Sequence, residues 1–137
     1  MTTGPRHRAR ETALQILYFW EVGRATPDEA IDSFFALHDP EASEPLRAFA
    51  SELVRGTIAE VGEIDGLITA RSEHWRLDRL AVIDRMILRM AVWELRHERD
   101  TPAPVVIDEA IELARTFSTD DSVRFVNGIL DAIRKDL

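Results

Sequence analysis

The sequence has 137 residues, 45% of them hydrophobic and 31% charged, which is typical of a globular domain large enough to bury its own core. No stretch approaches the roughly 20 apolar residues of a membrane span, and the N-terminus lacks the apolar segment of a secretory signal. Cysteine is absent, which excludes disulfides, thiolate metal ligands and thiol nucleophiles. This composition suits a reducing compartment, and we expect a cytoplasmic protein.

Charge is distributed unevenly along the chain. The formal net charge is −8, yet the first ten residues contain three arginines and no acid. The other 127 residues therefore hold 14 basic and 25 acidic side chains. A basic edge on an acidic body can bind nucleic acid locally while the body stays soluble. From charge alone, a solvated and disordered tail is an equally good interpretation.

The predicted elements are helices throughout. Apolar residues at helical spacing predict a first helix over about 8–22. The sequence TPDE at 26–29 combines a capping threonine, a proline at the first helical position and a glutamate that completes a capping box. It therefore predicts the start of a second, short helix, and a polar connection follows at 38–45.

One apolar stripe then runs from 46 to 71. Gly56, Gly62 and Gly66 lie inside it and indicate either close helix contacts or a break, since glycine is unfavourable inside a helix. The segment 72–80 is the predicted junction between two halves of the chain.

Three more helices are predicted in the second half, over about 79–97, 106–116 and 120–135. No strand-type alternation extends over a useful length. The pattern indicates an all-α bundle of about seven helices.

A search for catalytic and metal-binding groups gives little. No nucleophile elbow and no phosphate-binding glycine loop is present. Three neighbouring carboxylates could form an acid–base pair, but such runs are typical of a solvated helix start; they are Asp108, Glu109 and Glu112. The histidines lack metal-ligand spacing; they are His7, His38, His74 and His97. We predict no catalytic residue, metal, cofactor or small-molecule substrate.

Four blocks of the sequence carry a family resemblance. They are RARETALQILYFWE at 8–21, DRMILRMAVWEL at 84–95, IDEAIELARTF at 107–117 and SVRFVNGILDAI at 122–133. Together, in this order and at this spacing, they resemble the NusB family of bacterial transcription antitermination factors. The R-A-R-E opening and the run R-F-V-N-G-I-L-D are the most specific parts of the match.

The resemblance implies an all-helical fold of two small three-helix subdomains packed together. We expect a single domain over 1–137, with an N-terminal subdomain over about 1–75 and a C-terminal one over about 76–137. The implied function is not enzymatic. Members bind single-stranded boxA RNA of ribosomal RNA leader transcripts together with NusE, a small-subunit ribosomal protein. In the antitermination complex, the pair lets RNA polymerase read through termination signals.

The resemblance assigns RNA binding to the basic opening. Arg6, Arg8 and Arg10 match the arginine-rich segment of the family, and a guanidinium donates two hydrogen bonds at once to a phosphate. Arg6 and Arg10 are four residues apart and share a helix face, whereas Arg8 points elsewhere. His7 stands where members often carry a basic residue, so RNA binding is expected to be weaker near neutral pH. Phe125 also matches this surface, although it fits a core position equally well.

Other matched positions belong to the partner surface of the family. Tyr18, Asp84 and Asp121 match residues on the ribosomal-protein side, and the acidic body complements a basic partner. Tyr18 also lies beside core positions, so a core role stays open. Asn127-Gly128 is interpreted as structural, with the small residue permitting close helix approach. Ser118 stands where the family commonly has a glycine, and this departure counts against the predicted helix end at that position.

Three alternatives are weighed against this function. Ribosomal RNA methyltransferases carry a NusB-like domain, but that interpretation needs a catalytic domain downstream, and the sequence ends at Leu137. A helical interaction scaffold would have the basic opening as an unstructured tail and would not bind RNA. A small acid–base enzyme is the third alternative.

Overall fold

The residues that the structure describes form seven α-helices. The computed structural model describes residues 4–72, 76–97 and 101–137, so His74 and Trp75 of the predicted junction lie outside the described residues. The helices are α1 (Pro5–Gly23), α2 (Pro27–His38), α3 (Glu44–Ala59), α4 (Val61–Arg71), α5 (Val82–Arg96), α6 (Ala103–Phe117) and α7 (Asp120–Asp136), with a 3₁₀ turn at Leu77–Arg79. The described ranges contain no strand, which confirms the all-α prediction. None of their helices is long and apolar enough to cross a membrane.

The chain divides into two compact units, Met1–Ala59 and Glu60–Leu137. In the first unit α1, α2 and α3 pack against one another, as a three-helix subdomain should. In the second unit the described residues form four α-helices, because α4 packs on α5 and α7. The two units divide between residues 59 and 60, one helix earlier than the boundary predicted near residue 75.

A helix break at Glu60 explains this boundary. Glu60 has φ −112° and ψ 18°, so the stripe predicted over 46–71 forms two helices rather than one. The Glu60 carboxylate lies 3.0 Å from Arg96 Nη1 and 2.6 Å from His97 Nε2, at the end of α5. Ion pairing to α5 thus joins the start of α4 to the second unit.

Three of the helical glycines do not mark close packing. A Cβ atom placed on Gly62, Gly66 or Gly128 would meet no heavy atom within 4 Å. The break in the long stripe falls at Glu60, between Gly56 on α3 and Gly62 on α4. The structural interpretation of Asn127-Gly128 is wrong, because both residues are exposed and nothing approaches the missing side chain.

The predicted capping box starts α2. Thr26 Oγ1 accepts a hydrogen bond from the Glu29 backbone N–H at 3.1 Å, and Glu29 Oε1 accepts one from the Thr26 N–H at 2.9 Å. The Thr26 backbone N–H, and after it the Thr26 side chain, lower the pKa of the Glu29 carboxyl from its ordinary value of 4.5. The sequence therefore gives both the start of this helix and the reason for it.

Candidate nucleic-acid interface

The first turn of α1 concentrates positive charge. Pro5 occupies the start of the helix, and the first turn holds no acid. Arg6 and Arg8 are both exposed there. The helix macrodipole places its positive end at the same turn and adds to the two guanidinium charges. We call Arg6, Arg8 and this turn the basic edge.

Two arginines of α1 lie over one aromatic ring. The Cζ atoms of Arg6 and Arg10 lie 5.0 and 5.3 Å from the centroid of the Phe49 ring on α3. This geometry confirms that the two arginines share a helix face. They differ in exposure, because Arg10 is 3% exposed whereas Arg6 is open to solvent.

The basic edge is smaller than the sequence predicted. His7 is 9% exposed, and its Nε2 lies 3.7 Å from Glu11 Oε2 one helical turn away. Arg10 is buried as well, so Arg6 and Arg8 are the two of the three predicted RNA-binding arginines that are open to solvent. The reason is helical periodicity, since positions 7 and 10 continue the buried stripe of Leu14 and Leu17 on the same helix.

Tyr18 belongs to an exposed aromatic surface near the other end of α1. Tyr18 is 39% exposed to solvent, so the core interpretation is wrong. Its ring meets that of Phe19 edge-on at 6.1 Å, and Phe19, itself 47% exposed, stacks on the His38 ring at 6.0 Å. The sequence prediction missed Phe19 and His38, although helical spacing places Phe19 off the buried stripe.

Asp84 in the second unit is buried rather than exposed. It is 7% exposed, and its Oδ1 and Oδ2 accept hydrogen bonds from Ser118 Oγ at 2.6 Å and Ser122 Oγ at 2.7 Å. This contradicts the expectation that Asp84 faces a partner, because both carboxylate oxygens are bound within the second unit.

Asp121 and Phe125 lie on the first turns of α7. The Asp121 side chain is 91% exposed and forms an ion pair with Arg124 Nη2 at 2.7 Å. Phe125 is partly buried, between the two interpretations left open for it. Among the residues that the structure describes, no group of three or more histidines or carboxylates could hold a metal ion.

Comparison with known proteins decides the family. The model of the NusB family matches residues 7–135. The chain belongs to the NusB family. It is 47% identical over 133 residues to the transcription antitermination protein NusB of Solibacter usitatus (strain Ellin6076), covering 96% of this chain and 90% of the relative.

Solved structures agree with this family. NusB of T. maritima shares 38% identity with this chain at a TM-score of 0.86, covering 99% of this chain and 94% of that one. A chain from the crystal structure of antitermination factors NusB and NusE in complex with dsRNA shares 28% identity at a TM-score of 0.87, covering 97% and 98%.

The NusB fold groups the candidate residues within each unit. In the first unit, Phe49 joins Arg6 and Arg10; in the second, Asp84 joins Ser118 and Ser122. Phe49 was missed because a phenylalanine in an apolar stripe is typical of core, and nothing in the sequence connects it with α1. Ser118 and Ser122 were missed as partners of Asp84 because nothing in the sequence connects them with α5.

Proposed function

We propose that this chain binds boxA RNA of ribosomal leader transcripts together with NusE, and so acts as a transcription antitermination factor. The observation that carries the proposal is the exposed basic edge on the first turn of α1 in a chain of the NusB family. The relative from Solibacter is named a transcription antitermination protein, and a structural neighbour is bound to NusE and RNA. The chain is proposed to act in the bacterial cytoplasm, as part of an RNA polymerase antitermination complex.

The basic edge suits an RNA strand chemically. Arg6 and Arg8 each offer a planar fork of N–H donors, which matches two oxygens of one phosphate. Single-stranded RNA also splays its bases, and a guanidinium face can stack on an unpaired base. The edge therefore binds backbone charge first and reads little sequence by itself.

The partner surface is proposed to lie elsewhere on the chain. Asp121 is exposed and negatively charged, and Tyr18 is exposed beside Phe19. An acidic side chain speeds and orients the approach of a basic ribosomal protein, although an exposed ion pair stabilises the complex by only about 0–1 kcal/mol. The aromatic side chains of Tyr18 and Phe19 supply apolar contact area for a partner, which the charged Asp121 side chain does not.

A titration across salt concentrations tests RNA binding. Labelled boxA RNA is titrated with the protein, with and without NusE, and each arm is repeated with a duplex of the same sequence. The slope of the logarithm of RNA affinity against the logarithm of salt concentration should be about −0.7 for each phosphate neutralised. It should therefore be about −1.4 if Arg6 and Arg8 hold one phosphate each. NusE should tighten the binding.

A matched pair of variants locates the site. Arg6→Ala/Arg8→Ala should weaken binding and flatten the salt slope. Arg24→Ala also removes an exposed positive charge from the α1 region, about 24 Å away from Arg8 at 1.5 Å per residue, and should leave the slope unchanged. No RNA binding by the parent chain, even with NusE, would overturn the function. Equal slopes for the parent and the double variant would overturn the site.

A further inference from the structure

Phe49 has an environment that differs from that of an ordinary core residue. The Cζ atoms of Arg6 and Arg10 lie over its ring, 5.0 and 5.3 Å from the centroid. Phe49 itself is only partly buried. A cation within about 6 Å of a ring centroid is attracted by the negative face of the ring. One ring on α3 therefore fixes two cations of α1, although these cations repel each other.

The two arginines have separate parts in this arrangement. Arg10 is 3% exposed and fixes the ring and the helix relative to each other. Arg6 is exposed, so its guanidinium can meet a ligand while the ring holds it in place. The attraction to the ring uses the charge of the guanidinium rather than its N–H donors.

We propose that Phe49 is a positioning residue for RNA, which holds the Arg6 guanidinium in place on the basic edge. This inference rests on the proposed function. An arginine side chain loses rotamer freedom when a phosphate binds it, and this loss weakens the complex. Because Phe49 restricts Arg6 beforehand, less freedom is lost on binding. Phe49 strengthens RNA binding without contacting RNA.

Substitutions at Phe49 separate aromatic character from packing volume. Phe49→Leu keeps an apolar side chain but removes the ring, and should weaken binding of single-stranded boxA RNA about two- to fivefold, the size of one exposed cation–π contact. Phe49→Trp keeps a ring with a stronger attraction for cations, and should bind at least as tightly as the parent. A role in packing alone predicts that affinity follows the melting temperature of each variant rather than the presence of a ring.

A spectroscopic measurement on the free protein checks the cause. The side-chain protons of Arg6 should show ring-current shifts by NMR in the parent and in Phe49→Trp, and should lose them in Phe49→Leu. A double-mutant cycle completes the test, because Phe49→Leu should have little further effect on RNA affinity once Arg6→Ala is present.

The outcomes distinguish this inference from the function on which it rests. If Arg6→Ala weakens RNA binding but folded Phe49→Leu does not, Phe49 positions nothing and only the inference is lost. If Phe49→Leu does not fold, the decision passes to Phe49→Trp, and weaker RNA binding by that folded variant overturns the inference. If the parent chain binds no RNA, the proposed function and this inference fall together.

Discussion

Ser118 donates a 2.6 Å hydrogen bond to Asp84, which links the end of α6 to the first turn of α5. The backbone of Ser118 has φ −135°, outside the left-handed region that favours glycine, so the helix ends there without strain. The serine that replaces a common family glycine therefore does not disturb the helix end. It adds a hydroxyl that partly satisfies a buried carboxylate.

Asp84→Ala should destabilise the second unit. Removing the carboxylate leaves the hydroxyls of Ser118 and Ser122 without their buried acceptor, and loss of such a partner costs about 1–3 kcal/mol. Urea denaturation followed by circular dichroism measures this change in the free energy of unfolding. Asp121→Ala is the matched control, since its carboxylate is 91% exposed and an exposed substitution changes stability by no more than about 0.5 kcal/mol.

NusE binding should show the opposite ranking of these two variants. Asp121→Ala should weaken binding, whereas folded Asp84→Ala should bind NusE nearly as the parent does. A stable Asp84→Ala protein with selectively lost NusE affinity would return Asp84 to the partner surface and contradict the structural role given to it.

Asp65→Asn should have a larger effect than loss of a surface ion pair. Arg89 Nε and Nη2 each donate to an Asp65 oxygen at 2.8 Å, and the Arg89 side chain is 10% exposed. Neutralising one partner of a largely buried pair leaves a buried charge, and we expect a loss of about 3 kcal/mol. Asp131→Asn, which breaks the exposed pair with Lys135, should change stability by less than about 1 kcal/mol. Similar denaturation midpoints for the two variants would contradict this assignment.

Thr26→Ala tests the cap of α2. The hydroxyl oxygen of Thr26 accepts from the Glu29 N–H, and replacing an N-cap threonine with alanine costs about 1 kcal/mol. Thr26→Ser keeps the oxygen and should retain nearly all of the parent stability. Thermal melts of the three proteins provide the comparison, and a serine variant as unstable as the alanine variant would exclude the cap as the cause.

Stability in acid should depend on Glu29. Its pKa is lower in the folded chain than in the unfolded one, mainly because the Thr26 N–H binds the ionised carboxylate. Its contribution is therefore fully present above the ordinary value of 4.5 and is lost as the pH falls through the lower, folded value. Glu29→Gln should be less stable than the parent near pH 7, and this difference should shrink below about pH 4.5.

Urea titrations from about pH 3 to pH 7 measure this effect. Glu41→Gln, an exposed carboxylate outside the capping box, is the control and should leave the pH dependence of stability unchanged. A constant difference between the parent and Glu29→Gln at every pH would mean that the carboxylate is not the titrating group.

Local signals in the sequence predict the helices well. The features that the sequence does not predict depend on contacts between residues far apart in the chain. Capping at Thr26 and helical apolar spacing give element positions, because both depend on residues a few positions apart. The burial of Asp84 depends on Ser118 and Ser122, more than thirty positions along the chain, so periodicity cannot show it. The break at Glu60 likewise depends on its ion pairs with α5.

The same distinction applies to the basic opening. Its charge predicts a binding site, but the periodicity of α1 leaves some of its arginines exposed and buries Arg10. Arg8 is exposed, so Arg8→Ala should weaken RNA binding and flatten its salt dependence while the melting temperature stays near that of the parent. Arg10 is 3% exposed and lies over Phe49, so Arg10→Ala should lower the melting temperature through lost packing as well as lost charge.

Paired measurements on these two variants decide whether exposure governs their roles. Salt-dependent RNA titrations and thermal melts are recorded on the same preparations of Arg8→Ala and Arg10→Ala. If Arg10→Ala keeps the parent melting temperature and flattens the salt slope as much as Arg8→Ala does, then Arg10 leaves the ring to bind phosphate. RNA would in that case rearrange α1 side chains that are buried in the free chain, and the basic edge would regain the three arginines that the sequence predicts.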